Sequence, residues 1–222
     1  MRNYIFLLIF FMFFFVVSTQ AHAAINTCPR HQVDAQLKGK LAKTKKFRGS
    51  TKAFTEYVQG HSRGSSRILG FVNQAELYTR MTYQFSLRDI GGGRYCVMLD
   101  KVRGFFYAAP KLFMPSDYKK NSCEYQQVLK HEKRHLQAVY DFHKRNTGKY
   151  AAYLGKIARA VPIHDPVTTE KEAAQVKRAI TNYFEGKFRE QEYKSIMQLN
   201  KVQKTIDSPQ EYRGVAKRCN NW

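Results

Sequence analysis

Between Pro115 and Ser122 the hydrophobic pattern of the chain changes period, and this change sets the order of its elements. Upstream, β-type residues dominate. Leu77 to Ile90 is rich in Tyr, Phe, Thr and Met with partial alternation, and Tyr95 to Tyr107 resumes the pattern through Val97, Leu99, Val102 and Phe105. Gly91-Gly92-Gly93 between them marks a turn, so the two runs predict a hairpin. Ala109-Pro110 interrupts, and Lys111 to Pro115 predicts one more short strand. Downstream, Val128, His131, His135, Val139 and Phe142 recur at three and four residues, the spacing of one helix face. Ser122 stands where an N-cap belongs, and Asn146-Thr147-Gly148 is the place where this helix would bend or end. After the connector at Val161 to Pro166, a second helix is expected from Thr168 or Thr169, with Glu172 placed for a capping box. Its inner stripe reads Val176, Ile180, Phe184, Phe188, Ser195, Leu199, Val202 and Ile206, and Asp207-Ser208-Pro209 closes it. The expected class is α+β: an antiparallel sheet followed by two long helices.

The first residues read as an export signal. Met1-Arg2 is a short basic start, Tyr4 to Val17 is an unbroken apolar run of 14 residues, and Ala21-His22-Ala23 offers small residues for cleavage. Fourteen residues are too few to span a bilayer as a helix. The chain is therefore expected to divide into a signal peptide at 1–23, a basic N-terminal segment at 24–65 and an α+β domain at 66–222, cleaved near Ala23 and secreted or periplasmic. Four cysteines lie beyond the cleavage point, an even number suited to two disulfides in an oxidising compartment. Of the three ways to pair them, we expect Cys96 with Cys123, tying a strand to a helix start, and Cys28 with Cys219, joining the chain ends. No CxxC pair supports thiol-redox or cysteine-zinc chemistry.

Charge speaks to partners rather than fold. The 222 residues carry a formal +21, of which Arg2 alone belongs to the signal, leaving +20. Six cations fall between Lys38 and Arg48 with no acid among them: Lys38, Lys40, Lys43, Lys45, Lys46 and Arg48. Such a surplus favours an anionic cell-envelope surface or polymer, with nucleic acid a less favoured partner. At 43% hydrophobic and 25% charged, the composition excludes collagenous, low-complexity and wholly disordered chains.

The chemistry concentrates in His131-Glu132-Lys133-Arg134-His135, an HExxH sequence. On a helix, positions i and i+4 put two imidazoles one turn apart on one face, as two ligands of a tetrahedral Zn²⁺ require. Glu132, turned about 100° away, can take the proton from a zinc-bound water as it attacks a carbonyl. Chance would place this pattern in about one such chain in a hundred. Here it also lies on the apolar stripe of a helix. The third ligand is less evident. Asp141 and His143 lie ~9 and ~12 Å further along the same helix than His135. If the two helices reverse near His164, residues 193 to 197 face the histidines. Glu192 is then the expected third ligand, beside Glu190, with Glu172, Asp207 and His164 less favoured. Tyr212, Tyr183 and His164 are candidate oxyanion stabilisers. The segment from Gly104 to Met114 is a candidate edge strand for pairing with an extended substrate.

Through His131, Glu132 and His135 the sequence resembles the zincin metallopeptidases. More narrowly, over about residues 50 to 145, it is similar to a bacterial family of predicted secreted zinc-dependent proteases. The shared layout is a signal peptide, Tyr57-Val58-Gln59-Gly60, a Gly70-Phe71 segment leading into strands, Tyr95-Cys96-Val97, a strand ending at Phe113-Met114-Pro115, and the HExxH helix. The resemblance implies a zincin-like, disulfide-stapled domain and zinc-dependent hydrolysis of protein or peptide substrates outside the cytoplasm. The competing expectation is a cationic exported protein that binds an anionic polymer, with the HExxH site non-catalytic or empty of metal.

Overall fold

The computed structural model describes residues 27–59, 70–73 and 76–220. The signal peptide, the Gly60–Ser66 loop, part of the Tyr57–Gly60 element and the terminal Trp222 lie outside the described residues. The chain runs β1 (Asp34–Leu41), β2 (Lys45–Gly49), α1 (Thr51–Gln59), β3 (Phe71–Asn73), β4 (Leu77–Asp89), β5 (Tyr95–Ala108), β6 (Lys111–Pro115), α2 (Cys123–Arg159), α3 (Glu170–Ile206) and α4 (Pro209–Ala216). The α+β class and the two long helices are as expected. Ser122 caps α2 by accepting from the Tyr125 amide, and Thr169 with Glu172 closes a full capping box on α3. The bend or stop at Gly148 does not occur, because α2 continues through it to Arg159.

The antiparallel sheet is corrected to two mixed three-stranded sheets, in orders β1-β5-β4 and β2-β6-β3. The β4–β5 hairpin is antiparallel and turns at Gly91, Gly92 and Gly93, which hold φ of 84°, 63° and 69°, where a side chain would be strained. The edge partners β1 and β2, however, run parallel to β5 and β6. These strands come from the basic stretch 24–65, which is threaded into both sheets. Its alternation is weak because most of its residues are exposed, so no hydrophobic period announces it.

Parallel pairing also corrects the disulfides. The bonds are Cys28–Cys96 and Cys123–Cys219, with Cα separations of 5.5 and 5.8 Å. Asp34 lies opposite Lys101. The chain before β1 leads back toward the start of β5, where Cys28 meets Cys96. Cys96 opens β5, whereas Cys123 follows the far end of β6, so Cys96 and Cys123 stand at opposite ends of a long extended run. Cys123 instead meets Cys219, and the C-terminal tail is fastened to the start of α2.

One face of the β1-β5-β4 sheet packs on the α2–α3 hairpin. Leu37, Leu99, Val102 and Phe106 meet Phe142, Tyr150, Leu154, Ile180, Phe184 and Phe188. Of the expected α3 stripe, Ile180 through Leu199 is buried, but Val202 is 44% exposed and Gln203 is buried in its place. Phe184 has no exposed surface and touches the Tyr83 and Tyr183 rings. Phe184→Ala should cost about 3–5 kcal/mol in urea unfolding, since helix and sheet cannot both close on the hole. Among the described residues no helix is long and apolar enough to cross a membrane.

Candidate metal centre

Three ligand-type side chains converge from two elements. His131 and His135 stand one turn apart on α2, and Asp207 is the C-cap of α3. Their Nε2, Nε2 and carboxylate atoms lie within 4.8 Å of one another. His131 Nε2 is 3.2 Å and His135 Nε2 2.9 Å from the same Asp207 Oδ1, and the two nitrogens are 3.1 Å apart. The histidines are buried, while the Asp207 side chain is 41% exposed. The group therefore opens to solvent on the Asp207 side.

The third member corrects the expectation of Glu192. Packing pairs Ile157 with Tyr183, Tyr153 with Lys187 and His135 with Gln203. The hairpin is thus symmetric about residue 170, not 164. The connector explains the offset: Val167 exchanges two backbone hydrogen bonds with Tyr95, so α3 starts beyond the end of α2 and its first turns overhang. Ten or so residues of shift put Asp207, not Glu192, opposite His131. Glu192 lies fifteen residues earlier, ~22 Å along the helix. There its carboxyl faces Thr79 of β4, and burial pushes it above the usual carboxylate range. Glu190 pairs with Lys194 on the surface, Glu172 serves the cap, Asp141 accepts from Gln137, and His143 bonds the Phe106 carbonyl. His164 sits on the connector near His31, and the Tyr183 hydroxyl donates to the Ile157 carbonyl. None of these reaches the histidines.

Sequence reasoning missed Gln203. Its Nε2 donates to the His135 carbonyl at 3.4 Å, which turns its Oε1 toward His135 Nδ1, where the ring donates to it. The neutral ring then carries its proton on Nδ1 and aims the Nε2 lone pair at Asp207 and His131. Lone pairs directed at a carboxylate oxygen need a proton or a cation between them, and this donor set of two imidazoles and a carboxylate fits a divalent metal. The end of α3 adds the negative pole of a helix dipole. Burial opposes a charged His135, but Asp207, Gln203 and Glu132 together raise its pKa. Burial opposes the charge on Asp207 as well, and the bonds from His131, His135 and Tyr212 hold it well below the usual range. The signal for Gln203 was the four-residue series Ser195, Leu199, Gln203, Asp207, whose first two members were already on the inner stripe. Gln203→Leu should weaken the affinity of this group for a divalent metal about 10–100-fold, read by competition with a chelating indicator, because the ring loses the partner that fixes its tautomer.

Glu132 is 3% exposed, and its Oε2 is buried without a partner. Burial pushes its pKa up to about 8, His135 pulling it down and Asp207 adding to the rise. A Cβ on Gly70 would sit 3.3 Å from its Cγ, 2.9 Å from Val128 and 3.0 Å from the Phe113 carbonyl, so glycine there lets the start of β3 lie against Glu132. α4 completes the surroundings. The Tyr212 hydroxyl donates to Asp207 Oδ1 at 3.1 Å, and its ring lies 5.4 Å from His131. Of the three oxyanion candidates, Tyr212 is the one brought to the site. Arg134–Glu211 at 2.8 Å and the Cys123–Cys219 bond hold α4 on α2. The segment from Gly104 to Met114 is not an edge: β5 and β6 are the middle strands of their sheets, and β3 is the sheet edge beside Glu132. No family profile, curated protein or solved structure matches the chain.

Proposed function

We propose that this protein is an exported zinc-dependent peptidase. The observation that carries the reading is the meeting of His131, His135 and Asp207 with an unpartnered, buried Glu132 alongside. The residues divide the work. His131, His135 and Asp207 would hold the metal, and Gln203 orients His135. When bound, zinc lowers the pKa of a water and polarises a carbonyl. Glu132 holds the position of the base that takes a proton from attacking water and returns it to the leaving amine. Tyr212 reaches the same space from α4 and would donate its hydroxyl to the oxygen on which charge develops. An extended peptide would add to the β3 edge, which lies against Glu132.

Zinc fits the donor set because two nitrogens and one carboxylate leave a fourth, solvent-facing position. Export accords with the sequence of the first 23 residues and with two disulfides. The test is a screen of unfolded proteins and short peptides with the oxidised, zinc-loaded protein. Cleavage that a chelator stops, zinc restores and Glu132→Gln lacks would support the reading. Zinc bound without cleavage of any substrate would leave only a metal-binding scaffold.

A further inference from the structure

The outer face of the β1-β5-β4 sheet has no covering element among the described residues. Register fixes the side chains that share it. Lys40, Tyr107 and Tyr78 form one row across the three strands, Lys38, Phe105 and Arg80 the next, and Gln36, Arg103 and Thr82 the third. Neighbours within a row are ~5 Å apart and successive rows ~7 Å. Phe105 and Tyr78 are each 46% exposed. Tyr78 lies against Tyr107 with ring centroids 5.2 Å apart. Among the described residues Lys38, Lys40 and Arg80 pair with no carboxylate. The acids on this face are engaged: Asp34 holds Arg103 at 2.5 Å, and Asp100 accepts from Ser86 at 3.0 Å.

We propose that this face docks the protein on an anionic glycan, a polymer of sugar rings bearing carboxylate or phosphate groups. Phe105 and the Tyr78–Tyr107 pair offer flat apolar surfaces for the C–H faces of sugars. Lys38, Lys40 and Arg80 flank those rings on both outer strands and meet the charges. Gln36 and Thr82 in the next row supply uncharged hydrogen-bonding groups for hydroxyls. Charge complementarity selects an anion, since the chain carries +21 overall. A sugar polymer suits the face better than a nucleic acid, because Gln36 and Thr82 beside the cations offer partners for hydroxyl groups, which a stack of bases would leave unused. The disulfides also favour an oxidising space outside the cytoplasm. The face is the side of the sheet turned away from α2 and its metal centre, so a docked chain keeps that centre free. The surface is thus independent of whether the centre is catalytic.

The experiment measures binding of the oxidised protein to polygalacturonate and to phosphomannan. Neutral dextran, poly(dT) and phosphatidylglycerol vesicles serve as comparisons. At least one of the two anionic glycans should bind, with dextran much weaker and affinity falling as salt rises. Phe105→Ala and Tyr78→Ala should each weaken binding about tenfold, Phe105→Tyr should retain it, and Lys38→Gln with Lys40→Gln should flatten the salt dependence. Unchanged melting of these surface variants separates loss of binding from loss of fold. Failure of both anionic glycans to bind would overturn the proposal. So would binding that ignores the aromatic substitutions, which is general charge attraction. Tighter, Phe105-dependent binding of poly(dT) or of the vesicles would overturn it in favour of that partner.

Discussion

With the proposed peptidase chemistry, Glu132→Gln is expected to lower peptide hydrolysis by about 10²–10⁴-fold while zinc stays bound. That loss is about 3–5 kcal/mol of transition-state stabilisation. Glutamine keeps the shape of the side chain that lies against Gly70 at the start of β3. It cannot accept and return a proton. Glu132 is not one of the three converging ligand groups, so zinc affinity should hold. The fold should also tolerate the change, because glutamine matches in shape and charge the neutral acid that burial favours at this position. Zinc content, melting temperature and rate on one responsive substrate check all three statements. A variant that retains zinc and hydrolyses at the parent rate would remove Glu132 from the chemistry.

Asp207→Ala is expected to cost more zinc affinity than the about 10–100-fold that losing an outer partner costs. It takes away one of three ligands, and Tyr212 loses the acceptor of its hydroxyl as well. Glu192→Ala should leave zinc affinity unchanged, because its carboxyl faces Thr79 on the sheet side of α3. Titration of the two variants against a chelating indicator distinguishes the assignments. The reverse pattern, with zinc weakened by Glu192→Ala and not by Asp207→Ala, would put Glu192 rather than Asp207 at the histidines.

What the sequence revealed follows from the range of the forces involved. Caps, the triglycine turn and the α2 stripe are local, and each was readable from residues a few positions apart. So was the pair of histidines, because one helical turn carries both. The third member of the cluster was not local. It depended on where α3 starts relative to α2, and Val167 bonding to Tyr95 fixed that offset through a strand some seventy residues earlier. Without that single bridge, a reversal near His164 brings Glu192 rather than Asp207 toward the histidines. The same distance defeated the disulfide pairing. Only the parallel β1–β5 register brings Cys28 beside Cys96, and parallel partners separated by a long crossover leave no pattern in either strand. Gln203 was overlooked for a different reason. A polar residue on an apolar stripe was passed over for Val202, although buried polar groups gather where they have a partner to hold.

The most direct measurement is anomalous diffraction at the zinc edge from crystals of the oxidised protein grown with zinc. The expected result is a single strong peak about 2.0–2.2 Å from His131 Nε2, His135 Nε2 and an Asp207 carboxylate oxygen, with Glu132 beside its open side. No zinc at these three residues in protein with both disulfides formed would contradict it, and HExxH would then be a feature of the α2 surface without a metal.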